Sequence, residues 1–361
     1  MKIVSLSLQN FRNYESLEVD FHDGINMIYG NNAQGKTNIL ESIFTSATTK
    51  SHKNVNSREL IRIGFDEAHI RLILNKNGID QKIDMHLRKN KSKGIAINGV
   101  PIRKSGELMG LLNVVFFAPE DLNIIKNGPD ERRRFMDMEL CQLDNIYFHN
   151  LSEYKKALNQ RNKLLKQIYY NPSLKDTLYI WDEMLVEYGK IIISTRESFN
   201  RHISELLEKV SKKLTGNLEQ ISAEYIPNVI VDEYENEMKK SLEKDLRTMT
   251  TNIGPHRDDI MFMNDGVNLK KYGSQGQQRT CALALKLAEI ELVKKITNDT
   301  PILLLDDVLS ELDRNRQNYL LENIKDIQTM ITCTGLEEFV NSNLEIDRIL
   351  KVVSGTVTVE K

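Results

Sequence analysis

The sequence predicts an α/β protein whose mixed sheets with flanking helices are interrupted by an inserted α-helical arm lobe. Three observations carry that prediction. Strand-like alternation recurs through residues 1–118, a charged, Leu-rich, Gly-poor stretch with helical periodicity runs over residues 131–213, and a short apolar strand returns at residues 301–306. This order places the helical stretch inside a divided sheet domain rather than at its end. The expected division is residues 1–118 for the N-terminal half of the head, 119–253 for the arm and 254–361 for the C-terminal half.

Each element has its own signal. Ile3, Leu6 and Leu8 lead to Phe11, Leu17, Val19 and Phe21 alternate with polar neighbours, and residues 25–29 have the unbroken apolar character of a buried strand, so a mixed sheet is expected to start here. Residues 69–75, 83–88 and 95–98 alternate, with Asn77-Gly78 and Asn98-Gly99 suited to tight hairpins. Beyond Phe116-Phe117-Ala118-Pro119, long antiparallel helices are expected, broken at Asn171-Pro172, with Trp181, the only tryptophan, packed between them. Gly266 marks a turn, residues 277–295 read as a helix rich in Ala and Leu, and residues 301–306 as a short apolar strand.

Composition excludes several classes. With 49 Lys and Arg against 51 Asp and Glu in 361 residues, any nucleic-acid surface has to be a local patch. Cys141, Cys281 and Cys333 lack paired spacing, which argues against a zinc ribbon, an iron-sulfur cluster or a disulfide framework and fits a reducing cytoplasm. The N-terminal residues form no signal-peptide core, and the longest apolar runs fall far below the roughly 20 residues of a membrane span. A soluble, cytoplasmic protein without a membrane partner is expected.

Gly30-Asn31-Asn32-Ala33-Gln34-Gly35-Lys36-Thr37 follows a strand and opens a helix, the context a phosphate-binding loop requires. Its glycines let backbone N–H groups curl around phosphate oxygens, Lys36 would neutralise β/γ-phosphate charge, and Thr37 would offer a hydroxyl to magnesium. Asp306 and Asp307 tip the apolar strand that precedes them. Asp306 is placed to orient a magnesium water and Asp307 to polarise an attacking water, the alternative being that both cap the following turn. Ser274, Gln275, Gly276 and Gln277 open another helix and form a second phosphate-binding end.

Together with Ser310-Glu311-Leu312-Asp313, these motifs resemble the signature and D-loop of ABC-type ATPases. The resemblance implies an ABC-type P-loop ATPase head that uses ATP and Mg2+. It also implies an ATP-dependent homodimer, in which the signature of one copy completes the site on the phosphate loop of the other. Further segments resemble the RecF proteins, bacterial recombination mediators: Leu8-Gln9-Asn10-Phe11-Arg12-Asn13-Tyr14, Lys50-Ser51-His52-Lys53, Pro119-Glu120-Asp121-Leu122, Arg132-Arg133-Arg134-Phe135-Met136-Asp137 and Gly254-Pro255-His256-Arg257-Asp258-Asp259. They span essentially the whole chain. What this resemblance implies is a nucleoid-associated protein of replication and repair that binds single-stranded and gapped or double-stranded DNA. With RecR and RecO it would help RecA replace single-strand binding protein at gaps.

The chain departs from general ABC enzymes at three places. Pro119-Glu120-Asp121 replaces the glutamine loop, Thr332 or Thr334 stands where a switch histidine is usual, and Asp307 is one methylene shorter than the common glutamate. Slow turnover is expected from the shorter base. For DNA the preferred cluster is Lys50, His52, Lys53, Arg58 and Arg62, with Lys89, Lys91 and Lys93 second, each set against a merely solvated basic face. Arg132 to Arg134 could equally pair with Glu131, Asp137 and Glu139, and His256 with Arg257 could brace the nucleotide site or form a salt-linked turn. Two other classes compete. A transporter ATPase subunit would keep the coupling glutamine and a shorter helical subdomain, and an SMC-type chromosome organiser would need a far longer helix than the roughly 60 Å available to residues 131–170.

Overall fold

The computed structural model of the chain describes residues 1–53, 55–335 and 345–361. It divides into two compact units, Met1–Asp121 with Glu289–Lys361, and Leu122–Ala288.

The first unit holds two six-stranded sheets. Strands β1 (Lys2–Phe11), β2 (Tyr14–Asp20), β4 (Glu67–Lys76), β5 (Ile79–Arg88), β6 (Gly94–Ile97) and β7 (Val100–Pro101) form an antiparallel sheet in the order β2-β1-β4-β5-β6-β7. Alternating burial along β4 puts Ala68, Ile70, Leu72 and Leu74 on the core face and leaves a polar face outside, as a one-sided sheet requires. Both expected hairpins are present. Asn77 and Gly78 have φ of 55° and 79°, and Asn98 and Gly99 have 53° and 81°, the doubly left-handed turn that matches strand twist.

The second sheet runs β15-β14-β3-β13-β12-β8, from β3 (Ile25–Tyr29), β8 (Val114–Phe117), β12 (Ile302–Asp306), β13 (Thr329–Cys333), β14 (Arg348–Val353) and β15 (Thr356–Val359). It is parallel apart from the β14–β15 pair. Sequence alternation predicts one mixed sheet growing from the first strands, whereas β3 leaves its sequence neighbours to lie between β13 and β14. Helix α1 (Lys36–Thr48) touches β4 of the first sheet and β8, β12 and β13 of the second. A helix covered on two sides has to be buried nearly all round, and Ile39 through Thr48 are. Helix α9 (Arg314–Asn323) starts at Asp313, whose carboxylate accepts from the Arg316 N–H.

The second unit contains α2 (Leu122–Lys126), α3 (Pro129–Leu143), α4 (Asn145–Ile168), α5 (Leu178–Leu214), α6 (Tyr234–Thr248), α7 (Leu269–Tyr272) and the start of α8 (Gln275–Thr297). Its three strands, β9 (Ile221–Ile226), β10 (Asp259–Asn264) and β11 (Val267–Asn268), form a separate antiparallel sheet. Asp144 ends α3 and caps α4 by accepting from the Ile146 N–H, so residues 131–170 do not make one helix. The break at Asn171-Pro172 stands as expected. Trp181 is half-buried on α5, outside the core of Leu165, Ile168 and Leu178. The boundary at residue 253 requires correction, because residues 254–288 cluster with the arm and not with the C-terminal half of the head. Backbone pairing explains it: β10 ladders onto β9 from Asp259↔Ile226 to Asn264↔Ile221.

Ion pairs lock the same junction. Arg196, 2% exposed, donates to Asp258 (2.8 Å), the Pro255 carbonyl (2.6 Å), Asp137 (2.8 Å) and the Tyr147 hydroxyl (3.0 Å). Arg132 clasps Asp259 through two nitrogens at 2.5 and 3.1 Å, Arg133 donates to the Asp258 carbonyl, and Arg134 lies 4.0 Å from Glu131. The arginine run is therefore structural. His256 accepts from the Tyr154 hydroxyl at Nδ1 and donates from Nε2 to the Thr251 carbonyl, and burial lowers its pKa to about 4. It is a neutral interior histidine, closer to the turn-forming alternative than to a brace for nucleotide. Burial alone would raise the Asp137 carboxyl, but Arg196 and Lys155 outweigh it and bring the pKa down to about 2.

Arg196→Met would leave Asp258 and Asp137 buried without their shared cation, and urea denaturation is expected to show a loss of about 3–5 kcal/mol. A folded pKa below the ordinary carboxylate value means that Asp137 stabilises above about pH 4, and that this contribution, about 2 kcal/mol, fades as pH falls toward 2. Unfolding titrations over that interval should show the decline in the natural chain and a shallower one in Arg196→Met.

Candidate nucleotide site

The loop of residues 30–37 joins β3 to α1, and its glycines are there for space. A Cβ on Gly30, at φ 153°, would lie 2.3 Å from the Val352 carbonyl oxygen, and one on Gly35, at φ 115°, would meet Asn13 at 2.5 Å and the Tyr14 hydroxyl at 2.9 Å. Neighbouring segments pin the loop's backbone. Asn13 donates to the Gln34 carbonyl (2.8 Å), Tyr14 to the Gly35 carbonyl (3.1 Å), and the Ser354 and Gly355 N–H groups to the Gln34 side chain and carbonyl. Asn31, Asn32, Ala33 and Gln34 remain half-buried to exposed at the turn's outer edge.

Lys36 is 4% exposed, and its ammonium donates to the carbonyls of Gly30 (2.7 Å) and Asn31 (3.2 Å). A buried cation held by neutral acceptors is suited to an incoming anion, which is the fit a phosphate needs. Thr37 donates to Asp306 (2.8 Å), which also accepts from Thr332 (2.8 Å). Asp306 is 7% exposed; burial raises its pKa and Asp307 adds to that, against Thr332, Thr37 and the charge of Lys53. The Asp307 N–H donates to Thr332 (2.9 Å), and Asp307 has a φ of 50°, which turns the chain sharply at the strand end. The phosphate loop and the two acids, far apart in sequence, thus meet through Thr37, Asp306 and Thr332. A hydroxyl paired with a carboxylate beside a buried ammonium is an oxygen-rich set that fits a Mg2+ ion accompanying phosphates.

Ser274 opens α8 with a reciprocal cap: its hydroxyl accepts from the Gln277 N–H (3.2 Å), and its own N–H donates to the Gln277 side chain (3.0 Å). Ser274, Gln275 and Gly276 are exposed and Gln277 is half-buried; a Cβ on Gly276 would meet only the Ser274 hydroxyl, at 3.8 Å. These residues belong to the second compact unit, while the loop and the acids belong to the first.

Two of the five preferred DNA candidates are engaged in packing. The His52 ring stacks on Phe116 with centroids 4.1 Å apart, and Arg62 pairs with Glu15 (2.8 Å) while lying over the Phe65 ring. Lys50, Lys53 and Arg58 are exposed. In the second cluster Lys89 lies 3.5 Å from Asp66, Lys91 is exposed, and Lys93 donates to the Thr49 carbonyl, with its pKa lowered to about 8 by burial and by Lys50. Pro119–Asp121, where a glutamine loop is usual, forms a single 3-10 turn tied by Asp121 to the Ala118 N–H.

Sequence reasoning assigned no role to the residues that frame the loop. Arg12 clasps the buried Glu41 at 2.8 Å through two nitrogens, and Ser51 donates to the same carboxylate. Burial would raise Glu41, but Arg12 and Ser51 prevail and lower its pKa. The end of β1, α1 and the segment after it are thereby held together. Arg12, Asn13, Tyr14 and Ser51 all fall inside segments that resemble the RecF proteins, which was the only available signal for them.

Among the described residues no helix is long and apolar enough to cross a membrane. Residues 2–358 match the family described as RecF/RecN/SMC N terminal domain. The DNA replication and repair protein RecF of Lachnoclostridium phytofermentans is 59% identical over 357 residues, 99% of each chain. Its counterpart from Lachnospira eligens is 57% identical over 362 residues and the full length of both. A solved structure of the recombination mediator protein RecF with ATP, from the RecFOR pathway, has a TM-score of 0.93 at 35% identity, over 100% of this chain and 98% of that one. An Smc head bound to the C-winged helix domain of ScpA has a TM-score of 0.56 at 16% identity, over 99% and 97%, a likeness of fold alone.

Thr332→Val keeps the side-chain shape but removes both the donor to Asp306 and the acceptor for the Asp307 N–H. Urea denaturation is expected to show a loss of about 1–3 kcal/mol, with most of it restored in Thr332→Ser.

Proposed function

The chain belongs to the RecF family of DNA replication and repair proteins, and from that premise we propose an ATP-dependent, DNA-binding recombination mediator that acts at single-strand gaps and closes as a homodimer around two nucleotides. The observation that carries the nucleotide part is the buried Lys36 ammonium on neutral carbonyls, beside the joined Thr37 and Asp306. ATP supplies a triphosphate whose charge can be gripped from two sides and whose hydrolysis releases that grip. Asn31 through Gly35 would present backbone N–H groups, Lys36 offers the charge, and Thr37 and Asp306 would hold Mg2+ in exchange for the hydrogen bond between them. Asp307 is the group proposed to take the proton of an attacking water. Its short side chain favours slow turnover, hence a timed switch.

The second grip is assigned to Ser274, Gln275, Gly276 and Gln277 of a second copy. Exposure and the absence of bulk at Gly276 support that role, since another chain's nucleotide can reach the start of α8. For DNA, the exposed Lys50, Lys53 and Arg58 are the proposed phosphate contacts. Work alongside RecR and RecO, to help RecA replace single-strand binding protein, belongs to the same proposal and is supported by family membership. The pathway named for the ATP-bound relative agrees with it.

Sedimentation of the natural chain with ATP, with and without gapped DNA, tests this reading against Lys36→Met and Ser274→Arg. Lys36→Met is expected to lose ATP binding and dimerisation together. Ser274→Arg should bind ATP yet stay monomeric, and a Ser274→Arg protein that dimerises normally would remove the shared-site reading. Rapid hydrolysis unaffected by DNA would remove the switch.

A further inference from the structure

On the solvent face of the antiparallel sheet, three metal-ligating side chains converge away from the nucleotide loop. Glu67 and His69 are two residues apart on β4 and therefore project from the same face, and His86 on β5 is the direct cross-strand partner of His69. The imidazoles stack with centroids 4.1 Å apart and planes 19° from parallel, and His86 Nε2 lies 2.8 Å from a Glu67 oxygen. One ligand atom from each residue falls within 4.8 Å of the other two.

We propose that Glu67, His69 and His86 form a surface binding site for a divalent transition cation, with zinc as the best-matched ion. Two imidazoles and a carboxylate are the ligand set of open zinc sites, in which the protein supplies three positions and water the fourth. With zinc–ligand bonds of about 2.0–2.2 Å, tetrahedral ligands stand about 3.4 Å apart. From separations of up to 4.8 Å the ligands need to close by up to about 1.4 Å, and the stacked rings need to turn so that their in-plane lone pairs converge, movements open to side chains at the surface. The Glu67–His86 contact already brings two of the ligands together.

The surroundings leave room for a metal beside the histidine stack, because Arg88, the register partner of Glu67, is turned to the Ser92 carbonyl at 2.8 Å. The His69 imidazole has no hydrogen-bond partner among the described residues, so its nitrogens are available for coordination. Arg71, the next residue along that face of β4, is already paired with Asp84 at 2.6 Å, which limits its repulsion of a cation. Across the sheet, Gly94 is paired with His86 in register and adds no side chain over the ring, while Gln9 flanks His69 on the other side. The two histidines form part of the lining of a cleft of about 1070 Å³, so an open coordination position would face solvent.

The test uses the full chain, freed of metal with chelator and without nucleotide. Calorimetric titration with zinc chloride is expected to give one saturable site, weakened tenfold or more in His69→Ala and in His86→Ala and less in Glu67→Gln. His22→Ala, a histidine outside the cluster, should bind as the natural chain does. Cobalt in place of zinc should give the visible bands of a four- or five-coordinate nitrogen and oxygen site. ATP affinity, measured in parallel, should stay unchanged in all the variants, which separates a lost ligand from a lost fold. Absence of saturable zinc binding up to about 100 µM, unchanged binding in the His69→Ala, His86→Ala double variant, or a thiolate-to-cobalt absorption would each overturn the proposal.

Discussion

Lys36 carries a full positive charge into a place where its hydrogen-bond partners are two neutral carbonyls, and the head is arranged around keeping it there. A buried ammonium without a counter-charge is costly, so the loop that holds it needs support from outside itself. Asn13 and Tyr14 supply that support from the β1–β2 turn, and Ser354 and Gly355 from the β14–β15 turn. Two sheets and both ends of the chain thus converge on eight residues. A negatively charged ligand at the loop would supply the counter-charge that the two carbonyls do not.

The two acids at the strand end are tied together by one side chain. Thr332 donates to Asp306 and accepts from the Asp307 N–H. A hydroxyl can do both at once, whereas a neutral imidazole nitrogen does only one. Asp306 and Asp307 are adjacent like charges, and burial adds to their repulsion, so Thr37, Thr332 and the charge of Lys53 are what favour ionisation of Asp306.

The arm is held by a different kind of interaction. Arg196 and Arg161 are buried arginines with two carboxylates each, Asp137 and Asp258 for the first, Asp182 and Asp245 for the second. Such pairs contribute little net stability over an apolar core but are expensive to break singly, so they specify which helices meet. Gly254 belongs to the same interior. A Cβ there would lie 2.3 Å from the Tyr234 hydroxyl and 2.4 Å from that of Tyr154, and its φ of 134° suits glycine. The segments at 132–137 and 254–259 pack on one another through Arg132 and Arg133, which reach Asp259 and the Asp258 carbonyl.

The amino-acid sequence by itself determined the local pieces: the glycine turn with Lys36 and Thr37, the apolar strand ending at Asp306, the helix start at Ser274, and the hairpins at Asn77-Gly78 and Asn98-Gly99. Each is written in residues that are neighbours along the chain, so periodicity and turn chemistry suffice to read it. Tertiary structure alone decided that β3 joins β13 and β14, that residues 254–288 belong with the arm, that Thr332 bridges the acids, and that His52 and Arg62 are taken up in packing. It also decided that His69 faces His86, because strand register is set by which core faces are buried together. Those outcomes depend on contacts between residues tens to hundreds of positions apart, and no window of sequence contains both partners.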